Sequence, residues 1–413
     1  MKAWTWLVAA ILASATSWTY IHRILLPWEH YVNVERGRVK AQMNDLYPRW
    51  VGAQELLLHG QNPYGAQVSH KIQIAFYGHP IEQSYDKPQV GIVDEQRFAY
   101  PVYVVFLLAP TVHANFEVVE RWAPMVLGAL TAISIWLWFA VLGWRPPPWL
   151  LLTVVLLVLS SPQIAQGMRL RQFGLLAAFL MAWASWCVIR HRLFLAGVLL
   201  AGATIKPQMV ALCLVWFLIW SLGDWKKRWP LAGGFLVALG LLAGAGDILV
   251  PGWVRYFLEG LEAYRKYAST MSSVRFFLGN WIGGIFSVLA VIVLLVYAWS
   301  RRGIPAESPE FARTLSLFFI AATLVLPLFT PYNQVLLLLP LLILIHAWGQ
   351  LPRWDRARFA LFLAWPFLAS AGLLLFPPAV RSEHRIVLLP SALLLLIPFL
   401  FFWLTFKLRQ GEA

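Results

Sequence analysis

Apolar residues in this chain come in long runs separated by short polar segments. A helix needs about 20 consecutive apolar residues to cross the hydrocarbon core of a bilayer. About twelve runs approach or reach this length, which predicts an all-α, polytopic membrane protein with roughly 11–13 transmembrane helices. The runs cover 3–26, 98–112, 120–143, 149–165, 172–189, 193–222, 230–250, 280–299, 312–329, 333–348, 358–376 and 386–406.

Lysine and arginine cluster in the segments between the later runs, at 226–228, 301–302, 353–358 and 407–409. Short loops rich in these residues stay on the cytoplasmic side of a membrane. We therefore predict a single membrane domain over 1–413 with both termini in the cytoplasm. Residues 27–97 and 251–279 then form two extracytoplasmic loops.

The basic segment 190–192 conflicts with this arrangement, because the twelve-run scheme places it outside. If run 193–222 is divided at Lys206-Pro207, the segment 190–192 moves to the cytoplasmic side. An earlier run must then be re-entrant, and the short run 98–112 is the best candidate. The sequence is compatible with both arrangements.

The first predicted loop contains a helical pattern. Its apolar residues fall at i, i+4, i+7 and i+11, on one face of a helix: Leu46, Trp50, Ala53 and Leu57. Asp45 comes just before this helix, and Gly60 ends it. An amphipathic helix in such a loop is expected to lie along the membrane surface with its apolar face toward lipid.

Composition excludes other classes of protein. Hydrophobic residues make up 60% of the chain and charged residues 13%, which leaves too little polar surface for a soluble globule. The net charge of +14 reflects the basic loops and does not indicate nucleic-acid binding. Cys187 and Cys213 fall inside apolar runs, as buried thiols do. His59, His70 and His79 are too widely spaced for a compact metal motif, so no metal is predicted.

Short motifs follow one another in an order that resembles a known family. They are Asn44-Asp45-Leu46-Tyr47, Gly60-Gln61-Asn62-Pro63-Tyr64, Phe98-Ala99-Tyr100-Pro101, Gly197 through Lys206-Pro207, Gly279-Asn280 and Pro331-Tyr332-Asn333. Over about 40–400 this order resembles glycosyltransferase family 87, which includes polyprenol-phosphate-mannose-dependent mannosyltransferases. The chain departs from the family at Arg171-Gln172-Phe173-Gly174, where Gly-Gln-x-Asn is frequent.

The resemblance implies a GT-C-like fold and a glycosyltransferase at the extracytoplasmic face of a bacterial cytoplasmic membrane. Such an enzyme transfers a single sugar, here mannose or another hexose or pentose, with inversion. Its partners are a polyprenyl-phosphate sugar donor, a lipid or glycan acceptor, and membrane lipids. No cofactor is implied, and the chain has no nucleotide-binding Gly-rich motif.

Asp45 is the predicted catalytic residue. Inverting transfer needs a base that takes the proton of the acceptor hydroxyl. Because a lipid phosphate leaves without being protonated, one carboxylate suffices, unlike the acid–base pair of a hydrolase. The alternative role for Asp45 is to cap the following helix, and a cap is compatible with catalysis.

Three cations are predicted to bind the donor phosphate: Lys206, Arg171 and Arg169. Lys206 lies inside an apolar run next to Pro207, and an intramembrane cation indicates a functional site. The alternative is a lysine that extends from a helix end to the membrane interface. The resemblance adds predicted substrate contacts at Tyr64, Tyr100, Gln172, Asn280, Tyr332, Asn333 and His384, for which the alternative is an ordinary loop or cap position.

Two other functions fit a polytopic membrane protein. A flippase or transporter usually has repeated halves and paired broken helices, and the sequence has neither. A polysaccharide polymerase or ligase usually carries its large loop late in the chain, whereas here the large loop follows the first run.

Overall fold

A computed structural model describes residues 3–35, 44–81, 95–267, 272–327 and 330–375. Within these ranges the regular structure is helical and contains no strand, so the predicted all-α class is confirmed. The α-helices are α1 Ala3–Tyr20, α2 Leu26–Glu35, α3 Leu46–His59, α4 Ala66–Tyr77, α5 Val104–Leu108, α6 Phe116–Val141, α7 Pro148–Ser160, α8 Pro162–Arg169, α9 Phe173–Ile189, α10 Leu193–Ala203, α11 Pro207–Leu222, α12 Trp225–Leu249, α13 Trp253–Tyr267, α14 Ser273–Leu278, α15 Asn280–Arg301, α16 Pro309–Val325, α17 Leu338–His346 and α18 Arg353–Leu375. A π-helical segment, Ile21–Leu25, joins α1 to α2, and 3-10 helices cover Ala109–Thr111, Pro331–Leu337 and Trp348–Gln350.

Four helices of the described chain, α6, α12, α15 and α18, are long and apolar enough to cross a membrane. Helices α7 and α8, bent by 61° at their junction, count as a fifth if they form one broken span. The four long helices have 22 to 26 residues, or about 33–39 Å at 1.5 Å per residue. The total of about twelve spans stays a prediction, and its last run, 386–406, lies outside the described residues.

The run 98–112 is not a spanning helix. It contains α5, of five residues, and a 3-10 helix of three residues. Val104 and Val105 are fully buried against protein, and α5 packs on α3. The run is apolar because it belongs to the protein core, so its predicted crossing as one helix is wrong, and the re-entrant alternative stays a prediction.

The run 193–222 is two helices, α10 and α11, joined at Thr204–Lys206. Proline has no backbone N–H and disfavours helical geometry in the residue before it. Lys206, just before Pro207, accordingly has φ −128° and ψ 75°. The interpretation of 193–222 as one long helix is therefore wrong, and the division at Lys206 is confirmed.

This division brings the basic segments together at one end of the helices. His191 Nε2 lies 2.9 Å from Glu307 Oε1. The indole N–H of Trp220 donates to the Ile304 carbonyl at 2.9 Å, and Arg228 donates to the same carbonyl at 2.9 Å. The segment 190–192 thus lies beside the loops that follow α11 and α15, which removes its conflict with the other basic loops.

Helix α3 is present where the apolar spacing predicts it, and Gly60 ends it in the left-handed conformation, with φ 67°. Its apolar face does not point toward lipid. Leu46 and Ala53 pack in a cluster with the residues around α5, while Trp50 packs against α4. The expectation that this face points toward lipid is therefore wrong, because protein covers it.

Candidate active site

Asp45 lies directly before α3, but its side chain does not cap the helix. The side-chain oxygen of Asn44 accepts a hydrogen bond from the Leu46 N–H at 3.1 Å instead. Capping by Asn44 satisfies one of the N–H groups that have no partner within a helix. The capping role considered for Asp45 is therefore wrong, and its carboxylate is available for other partners.

The turn between α8 and α9 positions Gln172 next to Asp45. Arg171 has φ 53°, a left-handed conformation that is uncommon for a residue other than glycine. The Gln172 N–H then bonds to the Gly167 carbonyl at 2.8 Å. The Gln172 side chain is buried, and its amide nitrogen donates a hydrogen bond to the Asp45 carboxylate.

Lys206 reaches the same point from the turn between α10 and α11, and only 4% of it is exposed. Its ammonium donates to the Gln172 side-chain oxygen at 3.2 Å and to the Asn333 side-chain oxygen at 3.2 Å. It also lies 4.6 Å from the centre of the Tyr332 ring. The interpretation of Lys206 as a lysine extending to the membrane interface is wrong, because its ammonium is enclosed by protein.

Gly174 provides the space for this ammonium. A Cβ atom at Gly174 would lie 3.0 Å from Lys206 Nζ and 2.9 Å from Met209 Sδ. Gly174 is one of the residues at which the sequence departs from the family pattern.

Gln172 connects the Asp45 carboxylate to the Lys206 ammonium through its two amide atoms. Its NH₂ faces the Asp45 carboxylate and its oxygen faces the Lys206 ammonium. The two charges fix this orientation, because a carboxylate only accepts hydrogen bonds and an ammonium only donates them. A buried charge is costly unless it is paired or hydrogen-bonded. The continuous path Asp45–Gln172–Lys206–Asn333 meets this condition for both charges.

Arg49, which is not among the residues predicted from the sequence, completes the site. It lies one helical turn beyond Asp45 and donates to the Asp45 backbone carbonyl. Its guanidinium lies 4.1 Å from the centre of the Tyr100 ring and 5.8 Å from that of Phe173. The sequence does contain a signal for it, because residues at i and i+4 share a helix face.

Several of the motifs that carry the family resemblance meet around this site. The Tyr64 hydroxyl donates to the Tyr100 carbonyl at 2.6 Å. Burial, with a contribution from nearby Tyr103, raises the pKa of Tyr64, so the phenol keeps the proton that it donates. Tyr103 in turn bonds to the Thr204 carbonyl at 3.0 Å, next to Lys206. The hydrogen bond from Tyr64 therefore helps to fix the backbone position of Tyr100.

Arg171 and Arg169 lie at the edge of the site. Arg171 forms an ion pair with Glu120 on α6, at 3.3 Å, and donates to the Arg169 carbonyl. The same Glu120 oxygen accepts a hydrogen bond from Asn44 Nδ2 at 2.6 Å. Glu120 therefore ties the residue before Asp45 to the residue before Gln172.

Other candidate residues lie elsewhere. Asn280 is exposed at the start of α15, where it lines a groove with Arg275 and Trp281. His384 lies outside the described residues. The rival carboxylate Glu55 forms ion pairs with Lys71 and with His59, and so points away from Asp45.

No group of three or more potential metal ligands (His, Cys, Asp or Glu) comes together within the described ranges. The site is instead built from one carboxylate, two cations and two amides, with aromatic rings beneath the cations. Such a set can accept a proton and bind an anion.

Comparison with known proteins gives one match. The family model described as Glycosyltransferase family 87 matches residues 98–331, more than half of the chain. Tyr100, Gln172 and Lys206 fall inside the matched segment, whereas Asp45 and Arg49 precede it. No curated protein and no solved structure gives a significant match. With its apolar helices, the chain is a multi-pass membrane protein that belongs to glycosyltransferase family 87 and is therefore an enzyme.

Proposed function

We propose that this enzyme transfers one sugar, mannose or another hexose or pentose, from a polyprenyl-phosphate donor to a lipid or glycan acceptor, with inversion at the anomeric carbon. The observation that carries the proposal is the path from Asp45 through Gln172 to Lys206. It holds a base and a cation close together, at fixed positions, without joining them in an ion pair.

Asp45 acts as the base. The acceptor hydroxyl oxygen forms a bond to the anomeric carbon while the bond from that carbon to the phosphate oxygen breaks. The electron pair of the broken bond stays on the phosphate, and the hydroxyl proton passes to Asp45. A hydrogen bond from Gln172 to one carboxylate oxygen orients the group and leaves the other oxygen for the acceptor.

Lys206 holds the donor phosphate. Its present acceptors are neutral amide oxygens, which a phosphate oxygen outcompetes because a charged acceptor forms the stronger bond. The ring of Tyr332 stabilises the cation from one side.

The site faces away from the cytoplasm in this proposal. The support is the clustering of the basic segments around His191, Arg228 and Ile304, because such segments stay cytoplasmic. The turn that carries Lys206 is at the other end of α10 and α11 from this cluster. A polyprenyl-phosphate sugar displayed at the outer face of a bacterial cytoplasmic membrane fits this geometry.

Purified enzyme in lipid nanodiscs tests the proposal. It is incubated with radiolabelled polyprenyl-phosphate sugars, or with labelled nucleotide sugars, and an acceptor lipid extract. We expect label to move from a polyprenyl-phosphate donor to the acceptor, with an inverted linkage, and most of this transfer to be lost in Asp45→Asn protein. Transfer from nucleotide sugars alone would show that the proposed donor class is wrong.

A further inference from the structure

Arg49 lacks the acidic partner that several other arginines of the described structure have. Arg171 pairs with Glu120 at 3.3 Å and Arg301 with Glu310 at 2.9 Å. Within the described residues, neither Arg49 nor Lys206 forms an ion pair with a carboxylate. Together with Asp45 they give the site two positive charges and one negative charge. A site with this imbalance is suited to an anionic ligand.

The hydrogen bonds of Arg49 are also incomplete. One guanidinium nitrogen donates to the Asp45 carbonyl, but the Nε–H is buried and has no acceptor in the described part of the chain. Most buried polar groups in proteins have a hydrogen-bond partner, so an exception calls for an explanation. A ligand oxygen that is present only during turnover would supply the missing acceptor.

The guanidinium is held in a fixed orientation for this role. Its cation lies over the Tyr100 ring at 4.1 Å, with Phe173 at 5.8 Å. The main-chain bond to Asp45 fixes one edge of the group. A planar guanidinium can match two oxygens of a phosphate in a two-point contact.

We propose that Arg49 and Lys206 together bind the donor phosphate, with Arg49 providing the two-point contact. This inference rests on the proposed function. It also explains why two cations are needed: the phosphate of the donor is a diester with one negative charge, and it leaves as a monoester that gains a second. Cations that bind the leaving phosphate more tightly than the intact diester accelerate the reaction.

The test is equilibrium binding of a long-chain polyprenyl monophosphate to the full-length protein in nanodiscs, with the corresponding neutral polyprenol as reference ligand. For Arg49→Gln we expect the Kd of the phosphate to rise about tenfold or more, which corresponds to about 1.4 kcal/mol. The Kd of the polyprenol should not change, and this shows that the variant is folded. Arg49→Lys keeps the charge without the planar group and should lie between Arg49→Gln and wild type.

Two further variants complete the comparison. Arg255→Gln removes a 75% exposed arginine on α13 and should bind as wild type does. Arg171→Gln should lose less affinity than Arg49→Gln, because Glu120 already occupies the Arg171 guanidinium.

The outcomes separate the two proposals. If wild type prefers the phosphate to the polyprenol but Arg49→Gln binds both as wild type does, Arg49 is not a phosphate ligand and the proposed function stands. If wild type itself has no preference for the phosphate, the donor class is wrong, and the role of Arg49 fails with it.

Discussion

The side-chain amide of Gln172 donates a hydrogen bond to the carboxylate of Asp45, across 127 positions of the chain. This contact joins the start of α3 to the start of the apolar helix α9. The second amide atom of Gln172 accepts from Lys206. One neutral side chain therefore sets the distance between the proposed base and a proposed phosphate ligand, and the following predictions depend on this arrangement.

Asp45→Asn should abolish most transfer without unfolding the protein. An amide is no useful base, and losing a general base typically costs about 10²–10⁴-fold in rate. The helix should be unaffected, because Asn44 caps α3 and Asp45 does not. The measurement is single-turnover transfer from the labelled donor, together with thermal melting in detergent.

Two matched variants separate catalysis from folding in this experiment. Glu55→Gln removes a carboxylate of the same helix whose partners are Lys71 and His59, and it should cost far less transfer than Asp45→Asn. Asn44→Ala removes the cap and should destabilise the helix by about 1 kcal/mol. If folded Asp45→Asn protein transfers sugar within about threefold of the wild-type rate, well short of the loss expected for a base, then Asp45 is not the base.

Lys206→Ala should weaken use of the donor by about tenfold or more, or about 1.4 kcal/mol. Alanine removes a buried ammonium that donates to two amide oxygens. Lys206→Arg keeps the charge and should retain part of the activity. The quantity to compare is the KM for the donor at saturating acceptor. A folded Lys206→Ala enzyme with wild-type donor kinetics would remove Lys206 from the phosphate site.

The proposed orientation in the membrane predicts that Gln67 is accessible from outside the cell and that Lys226 is accessible only from the cytoplasm. Gln67, in α4, and Lys226, at the start of α12, are both exposed. With the buried Cys187 and Cys213 replaced by alanine, Gln67→Cys should react with a membrane-impermeant maleimide in intact cells. Lys226→Cys should react only after the membrane is permeabilised. The reverse labelling pattern would place the site in the cytoplasm.

The sequence predicts part of this architecture, for reasons that can be stated residue by residue. Spacing of Leu46, Trp50 and Ala53 predicts α3, and Pro207 indicates a break at Lys206, because helical periodicity and proline geometry are local properties. Hydropathy does not distinguish lipid from a protein core. For this reason the hydropathy pattern predicts a span around Val104 and a lipid-facing surface on α3, where the structure has protein core.

The candidate site was only partly predictable. The order of short motifs indicates Asp45, Lys206 and Asn333, but the contact between Asp45 and Gln172 depends on the packing of distant segments. Arg49 carries a weak local signal, one turn beyond Asp45. The role of Glu120 needs the structure, since its partners Asn44 and Arg171 are separated from it by 76 and 51 positions.

Gly174→Ala should impair the donor site while leaving the fold intact. Alanine is a better helix former than glycine by about 1 kcal/mol, so α9 itself should tolerate the change. The added methyl group, however, would lie 3.0 Å from Lys206 Nζ and 2.9 Å from Met209 Sδ. Both atoms lie near the ends of flexible side chains and can move, so we expect the ammonium to be displaced. The donor KM should rise about three- to tenfold, or roughly 0.7–1.4 kcal/mol, and the melting temperature should not change.

Gly202→Ala is the matched control, because its methyl group would meet only the Leu180 side chain, at an ordinary 3.5 Å. It should leave the donor KM at the wild-type value. A double variant then identifies the cause. If Gly174→Ala acts by displacing Lys206, adding it to Lys206→Ala should cause little further loss, because contacting residues are energetically coupled. Independent losses that multiply in the double variant would instead show that the methyl group acts through Met209 or the helix, and that Gly174 does not make room for the ammonium.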